Sequence, residues 1–144
     1  MKILITILFL SFSALLKAPE AKTIFIRADV PQNPFEALYI ATSTVESSNN
    51  PLAVGDKHLK GWSYGIVQVR ESRLDDYYRR TGIRYTTDDM FDPVKARRVF
   101  MHYASDYNPY QIMEISRAWN GGPDWRNKKS TKGYWKLIQK QLNN

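Results

Sequence analysis

The chain of 144 residues contains no cysteine. That absence excludes disulfides, a thiolate metal site, a cysteine nucleophile and a lipid-modified N-terminal cysteine, so the folded part must hold by packing alone. Histidine is nearly as scarce, with two residues. His102 has Asp106 one helical turn later, but no third ligand stands near and His58 is far off in the sequence, so neither a metal site nor a cofactor is expected. There is no internal repeat, no low-complexity tract and no linker that would divide the chain. Acids are thin in one interval: between Glu46 and Glu71 only Asp56 occurs.

The longest mostly apolar run, Ile3 to Leu16 behind Met1-Lys2, is too short to span a bilayer comfortably and has the charge and length of a secretory signal. Ala21 is the best small residue at a cleavage boundary and Ala18 the second, but Pro19 and Leu16 stand two positions before them, so an uncleaved anchor is the alternative and the only expected membrane contact. The expected organisation is a signal over 1–21 and one domain over 22–144, exported to the periplasm or the cell exterior. The formal charge is +7, and removing Met1 to Ala21 with Lys2, Lys17 and Glu20 leaves +6. An exported basic protein is suited to an anionic polymer or surface. Nucleic acid fits neither export nor any motif present. The basic run Arg126, Lys128, Lys129, Lys132, Lys136 and Lys140 reads first as a solvated face that would favour contact with anionic wall polymer.

Asn33 to Asn50 reads as a helix. Asn33 stands at an N-cap, Pro34 at the first helical position and Glu36 three residues past the cap, a capping-box variant. On a helical wheel Leu38, Tyr39 and Thr42 fall near Phe35, and Glu46 lies only about 20° from it, so the acid points with the apolar stripe. Ser47 to Asn50 offer competing side-chain hydrogen bonds and Pro51 follows, so the helix stops there. A carboxylate on that last turn meets partial desolvation and the negative end of the helix dipole, and both raise its pKa. It is a candidate general acid/base at the wall of a cleft; the structural alternative is a side chain that swings to solvent at a frayed end.

Lys22 to Gln32 reads as a brief extended lead-in. Leu52 to Val69, with Gly55, Gly61 and Gly65, reads as an irregular lobe or small hairpin with turns at Val54-Gly55-Asp56 and Lys60-Gly61. A second helix spans Glu71 to Thr81 with Leu74, Tyr77 and Tyr78 inward and Gly82 as its αL cap. Thr86 to Met90 is loop. A third helix opens at Asp92-Pro93 with Ala96, Val99, Phe100 and Tyr103 inward, and a fourth at Asn108-Pro109 with Ile112, Ile115, Ser116 and Trp119 inward. A fifth runs from Ser130 to Leu142 with Tyr134, Leu137 and Ile138 on its apolar side. The sum is a mostly α domain of about five helices with one small lobe.

Three strings fall in order on this layout: Glu46-Ser47, Gly65-Ile66-Val67-Gln68 and Ala118-Trp119-Asn120. They resemble the soluble lytic transglycosylase family, whose lysozyme-like domains carry Glu-Ser, Gly-Leu-Met-Gln and Ala-Tyr-Asn in that sequence. The resemblance runs from about Pro34 to Leu142, with Phe91-Asp92-Pro93 similar to the family's Phe-Asp-Pro and Tyr134-Trp135 to its late Tyr-Val. It implies cleavage of the MurNAc-GlcNAc β-1,4 bond of peptidoglycan by a monomer, with Glu46 protonating the glycosidic oxygen and then acting as base.

By the same resemblance Ser47 helps hold the site, with a helix-terminal hydrogen bond as the alternative. Gln68 binds sugar or amide groups, which suits a side chain with both donor and acceptor. Gly65 serves backbone geometry. Asn120 either caps the fourth helix or binds sugar. Trp119 departs from the family's tyrosine, and an indole carries no hydroxyl and no acceptor, so the hydroxyl contact to the acid cannot pass to it. Tyr134 would supply that hydroxyl, core packing being its alternative. Val67 in place of the usual Met should alter only local packing.

Two rivals remain at this point. One is a lysozyme-type hydrolase using Glu46 and Asp56, since hydrolysis needs a second carboxylate. The other is a glycan-binding wall protein without turnover. Asp56 lies in a turn-like string where aspartate is favoured for local backbone bonds, with Lys57 as a solvated charge partner.

Overall fold

A computed structural model describes residues 33–57 and 61–144. The signal segment, the lead-in of residues 22–32 and His58 lie outside the described residues. Five α-helices and three short strands follow one another as α1 (Glu36–Ser47), β1 (Val54–Gly55), β2 (Ser63–Tyr64), β3 (Val69–Arg70), α2 (Glu71–Thr81), α3 (Pro93–Ala104), α4 (Ile112–Gly121) and α5 (Ser130–Leu142). Short 3-10 turns at Asp88–Phe91 and Trp125–Asn127 join them. The helices form a mostly α body, and the strands form one antiparallel sheet in the order β1-β2-β3, with Val54 opposite Tyr64 and Tyr64 opposite Val69. No helix among the described residues is long and apolar enough to cross a membrane.

The core lies where the apolar stripes meet. Leu38 of α1, Phe100 of α3, Ile138 of α5 and Val67 and Val69 of the lobe are essentially sealed from solvent, and α5 packs against both α1 and α4. With no cross-link, this burial carries the fold, and truncating a side chain such as Phe100 to alanine should cost about 3–5 kcal/mol. Phe35, Leu38, Tyr39 and Thr42 are buried as the helical wheel requires.

Several ends and faces differ from the sequence expectation. Asn33 Oδ1 accepts from Phe35 N at 3.0 Å, but Pro34 and Phe35 form a turn and α1 begins at Glu36. Glu36 does not reach back to close a capping box: it pairs with Arg97 of α3, because a full ion pair across two helices outcompetes one backbone N–H. Asn108 likewise opens a turn rather than a helix, since Gln111 N donates to Asn108 O at 2.8 Å and α4 starts three residues after Pro109, at Ile112. Asp92 does cap α3, accepting from Val94 N at 2.8 Å and Lys95 N at 3.4 Å. Tyr78 and Leu137, expected inward, are 40% and 54% exposed. Periodicity placed them at the edge of a stripe that is narrower than it reads, and Arg84 covers the Tyr78 ring at 4.1 Å.

Candidate active site

α1 ends through Ser48 in the left-handed region (φ 54°), and Ser43 Oγ donates to Asn49 Oδ1 at 2.6 Å. The competing side-chain bonds of this polar run therefore fix the end of the helix rather than fray it. Glu46 is held half-buried on the last turn, facing α5, where Tyr134 Oη donates to Glu46 Oε1 at 2.7 Å. Burial pushes the Glu46 carboxyl up to about 7 from an ordinary 4.5; the Tyr134 bond pulls it back, the Asp56 carboxylate raises it further, and Arg73 and Arg70 lower it. Desolvation wins because one hydroxyl and two cations do not replace the lost water. Near neutral pH the group thus exists in both forms, the condition for donating a proton and then taking one. Tyr134 is itself buried and keeps its proton, its pKa raised first by burial and then by Glu46.

The three-stranded lobe forms the facing wall. At Gly65 (φ 75°) a Cβ would come 1.8 Å from Met90 O, so the backbone passes where no side chain fits. Gln68, also left-handed (φ 53°), donates from Nε2 to Gly65 O at 2.8 Å and Ala53 O at 3.2 Å, and its Oε1 accepts from Ser63 Oγ at 2.7 Å. It lines the cleft, but both amide N–H groups are occupied in cross-bracing the lobe. Ser47 Oγ donates to Ile66 O at 2.8 Å and so ties the end of α1 to this wall rather than offering its hydroxyl to the cleft. Asp56 lines the same cleft. Its partner is Arg70, at 2.6 Å, not the neighbouring Lys57; Ser63 Oγ stands 3.2 Å away but gives its one proton at shorter range to Gln68 Oε1.

α4 supplies the third side. Trp119 is buried, and its indole N–H donates to Val67 O at 3.2 Å, pinning α4 to the lobe. Asn120 is exposed on the cleft, and its side chain has no hydrogen-bond partner among the described residues, so its amide is open to a ligand and is not a helix cap. The cleft these walls enclose measures about 850 Å³. It brings Glu46, Gln68, Trp119 and Asn120 to one surface with Tyr134 behind Glu46, while Ser47 serves from behind the wall.

Sequence reasoning missed Arg73. Its guanidinium carbon lies 4.2 Å from the Trp119 ring centroid and 4.8 Å from that of Tyr103, and Nη2 donates to Trp119 O at 2.8 Å. Arg73, Asp76 and Arg80 share one face of α2, and a charged stripe at that spacing reads as solvated surface, which hid its place on the cleft. Asp106 is held by Arg80 at 2.8 Å instead of by His102. Among the described residues no three His, Cys, Asp or Glu side chains stand close enough to hold a metal ion.

Comparison with known proteins adds family and fold. The family described as Transglycosylase SLT domain matches residues 24–142. No curated protein sequence matches the chain. A chain in the crystal structure of Aeromonas hydrophila PliI in complex with Meretrix lusoria lysozyme is similar in fold, with a TM-score of 0.59 and 23% identity, over 73% of this chain and 88% of that one.

Proposed function

The chain belongs to the transglycosylase SLT domain family, and from that membership we propose that it is an exported lytic transglycosylase cleaving the MurNAc-GlcNAc β-1,4 bond of peptidoglycan. The observation that carries the reading is the half-buried Glu46 in the cleft, bonded to Tyr134 and poised near neutral pH between acid and base. The protonated carboxyl gives its proton to the glycosidic oxygen as the bond to the MurNAc anomeric carbon breaks. The carboxylate so formed takes the proton of the MurNAc 6-hydroxyl, whose oxygen closes on the anomeric carbon to leave a 1,6-anhydro end. The acid is thereby regenerated, and neither water nor a second carboxylate is consumed.

Tyr134 steers one oxygen of Glu46, and Asn120 offers an open amide to the sugar. Gln68 shapes the opposite wall and has one acceptor lone pair left for substrate. Asp56 on the same cleft gives the two-carboxylate hydrolase its one specific support. Its ion pair with Arg70 already balances the Asp56 carboxylate, which favours the single-acid route. The test against a wall protein without turnover is clearing of purified peptidoglycan. Wild type should clear it, and Glu46→Gln should bind it without clearing; equal clearing by both would remove Glu46 from the reaction.

A further inference from the structure

Arg73 differs from the other arginines on the cleft. Arg70 has Asp56 as a partner, Arg79 has Asp76, and Arg80 has both Asp76 and Asp106, all on exposed or half-exposed surface. Arg73 is half-buried, lines the cleft, and has no carboxylate within ion-pair distance among the described residues. A guanidinium carries five N–H donors and does not lose its charge in proteins, so a single bond to Trp119 O leaves most of its donors open. The Trp119 ring lies against the guanidinium, and the Tyr103 ring, 6.3 Å from the Trp119 ring and tilted by 66° to it, closes the corner. Indole is the strongest such platform, which gives a physical reason for tryptophan at position 119, where the soluble transglycosylases carry tyrosine. No fully buried side-chain nitrogen of Arg73 is left without a partner, so the nitrogens that make no bond keep some solvent contact, on a residue that lines the cleft.

From this geometry we propose that Arg73 is a specificity residue that receives a carboxylate of the substrate strand in the cleft. The inference rests on the reading of peptidoglycan as substrate, and it names what on that polymer the cleft recognises. A planar fork set in a corner of two rings and tied to Trp119 O is preorganised for a planar two-oxygen anion. Two sources offer that chemistry: the peptide attached to the lactyl group of MurNAc, and the lactyl carboxylate itself where the peptide has been removed.

The test is binding to the full chain carrying Glu46→Gln, so that strands are not consumed, with and without Arg73→Met. Three probes are titrated: peptide-bearing glycan strands, amidase-stripped strands, and stripped strands with the lactyl carboxylate amidated. A charge-assisted fork is worth about tenfold to a hundredfold in affinity. Arg73→Met should therefore weaken a carboxylate-bearing strand at least tenfold and change the amidated strand by less than about twofold. Loss on peptide-bearing strands alone assigns the peptide, and loss on stripped strands assigns the lactyl group. Equal weakening on all three, or on none, overturns the proposal.

Arg73→Lys keeps the charge but not the planar fork, covers the case in which Arg73→Met does not fold, and should still lose severalfold on the carboxylate-bearing strand only. Because binding is read without turnover, a wild type that binds with this preference but does not cleave would fail the enzyme reading and leave the inference standing. No binding to any probe would overturn both.

Discussion

On the helical wall of the cleft Glu46 sits among side chains of α1 and α5, with one tyrosine hydroxyl and little water, and its carboxyl is pushed up to about 7. On the lobe wall Asp56 faces an arginine at 2.6 Å and a serine hydroxyl at 3.2 Å. The two acids share a cleft and differ in what replaces their water. The backbones differ as well: α1 delivers Glu46 by helical periodicity, whereas Asp56 (φ 56°) and Gln68 (φ 53°) stand in left-handed positions fixed by cross-braces. One wall therefore presents a proton that can move, and the other presents a rigid, charge-balanced surface.

The largest break comes from Glu46→Gln, which should cost at least about a thousandfold in turnover on peptidoglycan, within the range of general acid/base catalysis. Stability should move the other way. The folded pKa of Glu46 lies above its unfolded value, so its contribution is full below about 4.5 and lost as pH rises through about 7. Thermal melts should then show Glu46→Gln more stable than wild type at pH 8, by about 2–3 kcal/mol at most, and equal at pH 4. Equal stability at both would mean that the acid is hydrated. In activity, the protonated form is the donor, so wild-type rate should fall as pH rises through about 7. Tyr134→Phe should follow with a loss of about tenfold. It removes a bond that favours the charged carboxylate, so the alkaline limb of the pH–rate profile should move to higher pH. An unmoved limb would place the hydroxyl outside the reaction.

The helical wall was largely legible because a 3.6-residue period states which side a residue faces. Glu46, Leu38 and Thr42 follow it, and the Asp92 cap is set by local chemistry alone. The soluble transglycosylase strings added Gln68, Trp119, Asn120 and Tyr134, residues that periodicity cannot bring together from the lobe, α4 and α5. What failed to read were contacts across elements. Glu36 prefers Arg97 to its own cap, Asp56 prefers Arg70 to Lys57, and Arg73 finds two rings from α3 and α4 that no local pattern announces. Such choices depend on distances set only once the helices have packed.

Gln68→Ala should be a smaller break and a test of the lobe wall. Three side-chain bonds are lost, including two to backbone carbonyls, so we expect destabilisation of about 1–3 kcal/mol with a raised KM and a nearly unchanged kcat. Unchanged melting would show that water replaces the braces. Asp56→Asn should be the smallest, within about threefold of wild type at its optimum. Loss of the neighbouring anion makes Glu46 easier to ionise, and the alkaline limb should shift to lower pH, opposite to Tyr134→Phe.

Whether one acid suffices is read most directly in the products. Mass spectrometry of fragments released from purified peptidoglycan by wild type and by Asp56→Asn should show MurNAc ends lighter by one water in both, the 1,6-anhydro form. Reducing ends from wild type, together with an Asp56→Asn variant that folds but is as inactive as Glu46→Gln, would contradict the single-acid account and establish a two-carboxylate hydrolase.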